Sequence, residues 1–183
     1  MRIDTDPPMR RLETARLVLE PLSVAHAAEM FDVLAAPSLH RYIGSVPPPS
    51  VADLRQRYLR LEGRRSPDGR QRWLNWILRR RDGRAIGFVQ ATVNAGFDAW
   101  VAWLVSPPHQ RHGYAAEATR TMLDELAGWY AVRRCLATVE VENEASTRLL
   151  AGLGFSPAES SEPAGRTLTP SERLYVRSLA GGA

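Results

Sequence analysis

The chain has 183 residues, 44% of them hydrophobic and 24% charged, with a formal net charge of +4 and one cysteine. This is globular composition at the length of one domain, and it excludes a disordered, collagen-like or coiled-coil chain. The lone Cys135 can form neither an internal disulfide nor a four-cysteine zinc site, so a reduced, cytoplasmic setting and no metal are expected.

No apolar run approaches the ~18 residues of a membrane span, and residues 1–8 carry Asp4 and Asp6 without the apolar core of a secretory signal, so no membrane partner is expected. All 24 residues of the lysine and arginine class are arginine, and they are scattered apart from short runs such as Arg64-Arg65 and Arg79-Arg80-Arg81. The second run abuts Asp82-Gly83 and is expected at a solvated hairpin tip, so nucleic acid is not expected as a partner either.

In chain order, Leu17, Val18 and Leu19 within residues 16–21 read as a short strand that Pro21 closes. Ser23 can cap a helix whose apolar positions Ala27, Met30, Phe31 and Leu34 follow i, i+3, i+4, i+7 spacing. Pro47-Pro48-Pro49 breaks the chain, and Ser50 with Asp53 opens a second helix striped by Val51, Leu54, Tyr58 and Leu61. After a polar loop at 63–69, residues 73–80 and 85–93 are strand-like and joined across Asp82-Gly83, a dipeptide that tolerates the positive φ of tight hairpins.

Residues 100–105 are almost wholly apolar, as a strand buried on both faces would be. Ala115, Ala118, Met122, Leu126 and Trp129 then mark one face of a long helix. Cys135, Ala137, Val139 and Val141 alternate with Leu136, Thr138, Glu140 and Glu142, a strand with one more polar face. Asn143 can cap a short helix carrying Leu149, Leu150 and Leu153, with Gly154 at its left-handed end. A polar loop at 156–170 precedes a last strand at 174–179. The order β-α-α-β-β-β-α-β-α-β-β predicts a mixed α/β fold, one mostly antiparallel sheet with about four helices and no linker or repeat.

The informative segment runs from Leu104 and Val105 through Gln110, Arg111 and His112 to Gly113, Tyr114 and Ala115. A buried strand enters a loop, and glycine and alanine then open a helix. Small residues let a ligand approach the backbone, and the first helical turn offers unpaired N–H groups that attract phosphate. Neither a Walker loop nor a dinucleotide fingerprint is present. The same small residues also suit tight packing of a helix on a sheet.

Gln110-Arg111-His112-Gly113-Tyr114-Ala115 resembles the Gln/Arg-x-x-Gly-x-Gly/Ala signature of the GNAT family, the GCN5-related N-acetyltransferases. Gly113-Tyr114-Ala115-Ala116-Glu117-Ala118 is similar to its RimJ/RimL-like branch. So is the segment from Asn143 and Ser146 to Leu153-Gly154-Phe155, and the Leu-Glu-Thr-Ala-Arg-Leu start at Leu12 looks like that branch's first strand. The resemblance spans residues 12–179 as one domain, with 1–11 and 180–183 as tails.

It implies an acetyl-CoA-dependent N-acetyltransferase in which a primary amine attacks the thioester directly in a ternary complex. The amine would belong to a protein N-terminus, an amino acid or peptide, or a small amine or antibiotic. The resemblance also implies that the signature loop binds the cofactor's pyrophosphate, that Asn143 binds its pantetheine arm, and that a backbone N–H at Leu104 or Val105 polarises the carbonyl. Homodimers occur among similar proteins, though no interface is named by the residues.

Many relatives carry a tyrosine acid seven residues after the asparagine, where this chain has Leu150. In the RimJ/RimL-like branch Ser146 would stand in, donating a hydrogen bond to the leaving thiolate. Asn143 as a helix cap and Ser146 as its third helical residue remain open readings. No carboxylate lies on the strand at 100–105, so Glu140, Glu142, Asp98 or His40 would have to take the proton through water. The missing tyrosine and carboxylate leave a non-catalytic acyl-CoA sensor as the alternative.

Charge state favours an α-amine, of pKa ~7.7 and about one-third neutral at pH 7.4, over a lysine amine of pKa ~10.4, which is about 0.1% neutral. Trp73, Trp76, Trp100 and Trp103 either pack the core or line the acceptor groove. Cys135, on an apolar alternation, is expected in the core. Specificity is expected in residues 40–50 and 156–172.

Overall fold

A computed structural model of the protein describes residues 7–42, 46–158 and 167–179; the expected specificity segments 40–50 and 156–172 lie partly outside them. Eight strands form one sheet: β1 (Leu12–Glu13), β2 (Leu17–Pro21), β3 (Arg72–Arg80), β4 (Ala85–Val93), β5 (Asp98–Val105), β6 (Arg134–Glu140), β7 (Ser156–Pro157) and β8 (Glu172–Ser178). Their spatial order is β1-β2-β3-β4-β5-β6-β8-β7. All neighbours are antiparallel except the β5–β6 pair. The helices are α1 (Ala27–Leu34), α2 (Val51–Glu62), α3 (Tyr114–Gly128) and α4 (Glu144–Gly152).

Local chemistry accounts for most boundaries. The Ser50 side chain accepts the Asp53 N–H at 3.1 Å and starts α2. Gly83 takes a φ of +89° in the β3–β4 turn. Gly154, at +76°, follows the end of α4 as expected. β7 falls at the start of the expected loop at 156–170, in an order expected to end in two strands. Its two residues hold no periodic signal, and pairing with Val176 and Tyr175 of β8 makes them an edge strand.

The sheet separates two cores. On one face α3 and α4 cover Leu17, Leu19, Trp76, Val89, Val101, Val105 and the Cys135 row. On the other, α1 and α2 bring Met30, Leu34, Leu54 and Tyr58 against Ile77 and Leu104. The expectation that residues 100–105 are buried on both faces is corrected. Trp100 and Ala102 are only half-buried, because α1 and α2 cover the Ile77–Phe88–Leu104 row and stop short of the next rows, and Trp103, on the α3 face, is half-buried as well.

The hairpin tip, residues 81–84, is exposed as expected, but Arg79 is drawn inward from it. Arg79 donates to both Glu29 oxygens (2.9 and 2.6 Å), to Glu20 (2.8 Å) and to the Gly83 carbonyl (2.7 Å), tying β2, α1 and the turn together. Arg80 pairs with Asp82 and approaches His109, while Arg81 donates to Glu13 and to the Thr14 carbonyl. Arg79 and Arg81 thus reach acceptors on β2, α1 and β1 that are distant in sequence, besides the turn's own Gly83 and Asp82, which meet Arg79 and Arg80.

Candidate functional site

β5 and β6 pair only where Asp98, Ala99 and Trp100 meet Arg134, Cys135 and Leu136. Beyond that point β5 stays with β4 as far as Val105, and β6 stays with β8 as far as Glu140. The two parallel strands therefore splay into a wedge whose β5 edge, five residues long, measures roughly 16 Å.

Register decides which backbone groups face the wedge. The Ser106 N–H donates to the Ile86 carbonyl at 2.8 Å. Val105, opposite Gly87, is thus a non-hydrogen-bonded position on the β4 side, with N–H and C=O turned away from β4. Alternation gives Val101 and Trp103 the same sense. On the far edge the Val141 N–H donates to the Ser171 carbonyl at 2.8 Å. Glu140, opposite Glu172, therefore turns its backbone groups away from β8, and Thr138 does likewise. A strand-like ligand with amide groups would find donors and acceptors along both edges.

The same register separates the two strand-end residues. The Leu104 amide faces β4, and the amide that opens into the wedge is that of Val105. The Val105 carbonyl is already taken, accepting from Gln110 Nε2 at 2.9 Å. Gln110 is thus a strut between loop and strand.

At the wide end of the wedge the chain turns into α3. Arg111 and Gly113 both adopt left-handed conformations, with φ of +64° and +79°, and Gly113 is the residue that caps α3. For a non-glycine residue such as Arg111 this conformation costs ~1–2 kcal/mol. Left-handed residues at a helix start turn successive N–H groups outward, the geometry of an anion nest. His112 Nδ1 donates to the Gln110 carbonyl at 2.7 Å, and its ring stacks on Tyr114 at 6.0 Å. Ala115 packs on the core of the α3 face. Gln110, Arg111, His112, Gly113, Tyr114 and Ala115 are therefore contiguous at the wedge mouth.

Asn143 caps α4, its side-chain oxygen accepting the Ser146 N–H at 3.1 Å. That bond occupies Oδ1 and leaves the two Nδ2 hydrogens without a partner among the described residues. Ser146 Oγ likewise makes no hydrogen bond among them, and the residue is half-buried. Both therefore keep a donor in hand beside the end of β6. Leu150, at the tyrosine position of many relatives, is completely buried in the core.

The four candidate bases are distributed unequally. Asp98 sits at the closed end of the wedge and is ion-paired with Arg134. His40 shares a hydrogen bond of 2.9 Å between Nε2 and the Leu34 carbonyl, which makes that nitrogen a donor. Glu142 is exposed in the turn after β6. Glu140 is half-buried at the end of β6, on the sheet face that Leu104 shares and across the wedge from it. Cys135 is fully buried, and burial pushes its thiol up to about 12. It is core, as expected.

The tryptophans divide. Trp76 and Trp103 belong to the α3 face, and Trp76 Nε1 donates to the Arg10 carbonyl. Trp73 and Trp100 stand half-buried on the opposite face. An open depression of about 780 Å³ bordered by Asp68, Arg70, Trp73 and Asn94 lies at the far end of the strands from Val105 and away from this chemistry. Among the described residues no three His, Cys, Asp or Glu side chains gather as metal ligands, and no helix is long and apolar enough to cross a membrane.

Two residues bordering the site were not read from the sequence. A Cβ on Gly87 would lie 1.9 Å from the Leu104 carbonyl oxygen, so only glycine fits opposite Val105. Arg16 reaches from the start of β2 to the carbonyl of His112 at 2.8 Å. Both contacts join segments distant in sequence, and only the glycine inside a strand pattern was a visible signal.

A model of the acetyltransferase (GNAT) domain matches residues 16–156. The chain is 27% identical over 148 residues to the uncharacterized N-acetyltransferase YoaA of Bacillus subtilis, covering 79% of this chain and 81% of that protein. Among solved structures it is similar to spermidine N-acetyltransferase from Vibrio cholerae, solved with CoA and spermine (TM-score 0.74, 17% identity, 90% of this chain and 96% of that one). It is also similar to Mycobacterium smegmatis RimJ in complex with a CoA disulfide (TM-score 0.73, 22% identity, 88% and 81%). At these identities the two structures show a shared fold.

Proposed function

The chain belongs to the GNAT family of N-acetyltransferases, and from that premise we propose that it transfers the acetyl group of acetyl-CoA to a primary amine, as a member of the RimJ/RimL-like branch. One observation carries the reading: the β5–β6 wedge, edged by outward-facing backbone groups, opens directly onto the left-handed loop that caps α3. Acetyl-CoA is an amide-bearing arm joined to a diphosphate, and these two surfaces match its two parts in order. The lone buried thiol suits a reducing, cytoplasmic setting.

The amides at the start of α3 hold the diphosphate. The two edges of the wedge pair with the amides of the pantetheine arm, and Asn143 Nδ2 supplies a further donor. The Val105 N–H faces the thioester oxygen, where negative charge develops as the amine nitrogen bonds to the carbonyl carbon. The C–S bond then breaks, and Ser146 Oγ–H donates a hydrogen bond to the departing thiolate. A serine hydroxyl is too weak an acid to be fully deprotonated by a thiolate whose thiol pKa is ~8.5, so its part is stabilisation.

The proton released by the amine goes through water to Glu140, the half-buried candidate carboxylate across the wedge from Leu104, on the face opposite α3. That face is also where Trp73 and Trp100 are half-buried, so the acceptor approaches there. The one carboxylate of β5, Asp98, is ion-paired with Arg134 at the closed end of the wedge, so the site suits an amine that is substantially neutral at physiological pH. An α-amine, about one-third neutral at pH 7.4, meets that condition.

The test is thiol release from acetyl-CoA across a panel of peptides with varied N-termini, free amino acids, polyamines and aminoglycosides. Turnover with one class, peptides or amino acids first, supports the reading and names the acceptor. Acetyl-CoA binding with no turnover on any class would instead favour the non-catalytic sensor.

A further inference from the structure

The loop that caps α3 is held from outside its own segment. Arg16 Nη1 donates to the His112 carbonyl at 2.8 Å, and Nε donates to Glu117 Oε2 at 2.6 Å. The Arg16 backbone N–H and Thr14 Oγ1 both donate to the other Glu117 oxygen, at 3.0 and 2.5 Å. The guanidinium carbon lies 4.6 Å from the centre of the Tyr114 ring, and Nη2 would be 3.3 Å from a Cβ on Gly113. One side chain thus touches His112, Tyr114 and Glu117 and stands beside Gly113.

We infer that Arg16 is a positioning residue for the phosphate loop, holding the His112–Gly113 peptide in the one orientation that presents its N–H to the cofactor. The inference rests on the cofactor site proposed above. In a trans peptide the C=O and the following N–H point in opposite directions. A His112 carbonyl bound to Arg16 therefore turns the Gly113 N–H to the opposite side, outward at the helix start. Glycine tolerates both signs of φ, so a peptide that ends in Gly113 can turn over at little steric cost. Turned over, it would offer a carbonyl oxygen to the diphosphate in place of a donor.

Arg16 also offsets a charge. Glu117 lies in the first turn of α3, where its carboxylate would compete with phosphate for the positive end of the helix. Paired with Arg16 and Thr14, that negative charge is neutralised and directed back toward β2. Thr14, Arg16 and Glu117 form one bracket between the first strands and the loop.

The experiment measures the acetyl-CoA dissociation constant by titration calorimetry for wild type, Arg16→Met and Arg16→Lys. The Gly113 amide resonance is followed by ¹H–¹⁵N NMR in the same proteins, with thermal midpoints as controls. Methionine keeps the aliphatic stem and removes every side-chain donor, and the expected result is a tenfold or greater weakening with a smaller ligand-induced shift of Gly113. Lysine reaches either the His112 carbonyl or Glu117 and recovers part of the affinity. The lysine variant, which keeps the charge, carries the test by itself if the methionine variant does not fold.

Dissociation constants within twofold of wild type in the folded variants, with an unchanged Gly113 shift, would overturn the positioning role and leave the proposed function standing. A wild-type protein that binds no acetyl-CoA would overturn both.

Discussion

The carbonyl of Leu104 rests on the α-carbon of Gly87, so close that a β-carbon there would lie 1.9 Å from its oxygen. Gly87 is the Cα partner of Val105, whose amide opens into the wedge. The small residue on β4 thereby lets β5 keep its register up to the point where the chain must leave for the loop. Replacement by alanine drives a methyl into backbone that cannot rotate aside. Gly87→Ala is expected to cost about 3 kcal/mol or more of stability and to displace the Val105 amide. Urea unfolding together with the rate of thiol release checks both parts. A stable variant of normal activity would show that this contact does not set the Val105 amide.

Gly113→Trp tests the loop more bluntly. The residue sits at a φ of +79°, where side chains are strained, and faces Arg16. A tryptophan there is driven against Arg16 and displaces the loop that presents the α3 amides, and acetyl-CoA binding is expected to vanish in calorimetry. Wild-type affinity would move the phosphate site elsewhere.

Ser146 and Asn143 separate turnover from binding. Ser146→Ala removes the donor proposed for the thiolate while leaving the backbone N–H that Asn143 caps. It should lower kcat about tenfold or more with the acetyl-CoA dissociation constant nearly unchanged. Asn143→Ala should both weaken cofactor binding and lower stability by ~1 kcal/mol through the lost cap. An unaltered rate in Ser146→Ala would leave that residue a plain helix position.

Acid should loosen the structure at two brackets. Burial pushes Glu20 up, but hydrogen bonds and charge from Arg79, with His26, outweigh it and hold the carboxyl below its ordinary value. Glu117 behaves alike: burial raises it, and hydrogen bonds from Thr14 and Arg16 bring it below the usual range. Carboxyls depressed in the folded state add stability that is complete above the unfolded value of ~4.3 and is lost as pH falls through their lower folded values. Urea midpoints between pH 2 and 6 should therefore drop on the acid side. The drop should be shallower in Glu20→Gln and Glu117→Gln, and an identical acid limb in both variants would dismiss these groups.

Cys135 should be inert. Its thiol is fully buried and pushed up to about 12 by that burial, so little thiolate exists at pH 8. Alkylation by iodoacetamide is expected only after unfolding, with native activity unaffected. Rapid labelling of the folded protein would place this cysteine at an accessible site.

How much of this could be read from residues in a row follows from how local each cause is. The helices at Ser50 and Asn143, the Asp82-Gly83 turn, the left-handed Gly154 and the core place of Cys135 depend on neighbours a few positions apart, and periodicity with capping chemistry reveals them. The signature from Gln110 to Ala115 was legible for the same reason, since a phosphate loop is built from consecutive amides. What the fold alone decided is long-range. The wedge exists because β5 and β6 part after Trp100 and Leu136, and only that register chooses the Val105 amide over that of Leu104.

Arg79 reads as part of a solvated run until Glu20 and Glu29 are brought against it. Arg16 and Glu117 are about a hundred positions apart, and no local pattern announces that one bears on the other. Hydrogen bonds and close backbone contacts are short-ranged in space and indifferent to distance along the chain. The sequence by itself therefore determined the elements and the chemistry of the loop, while the tertiary structure decided which amides face the wedge and which side chains hold them there.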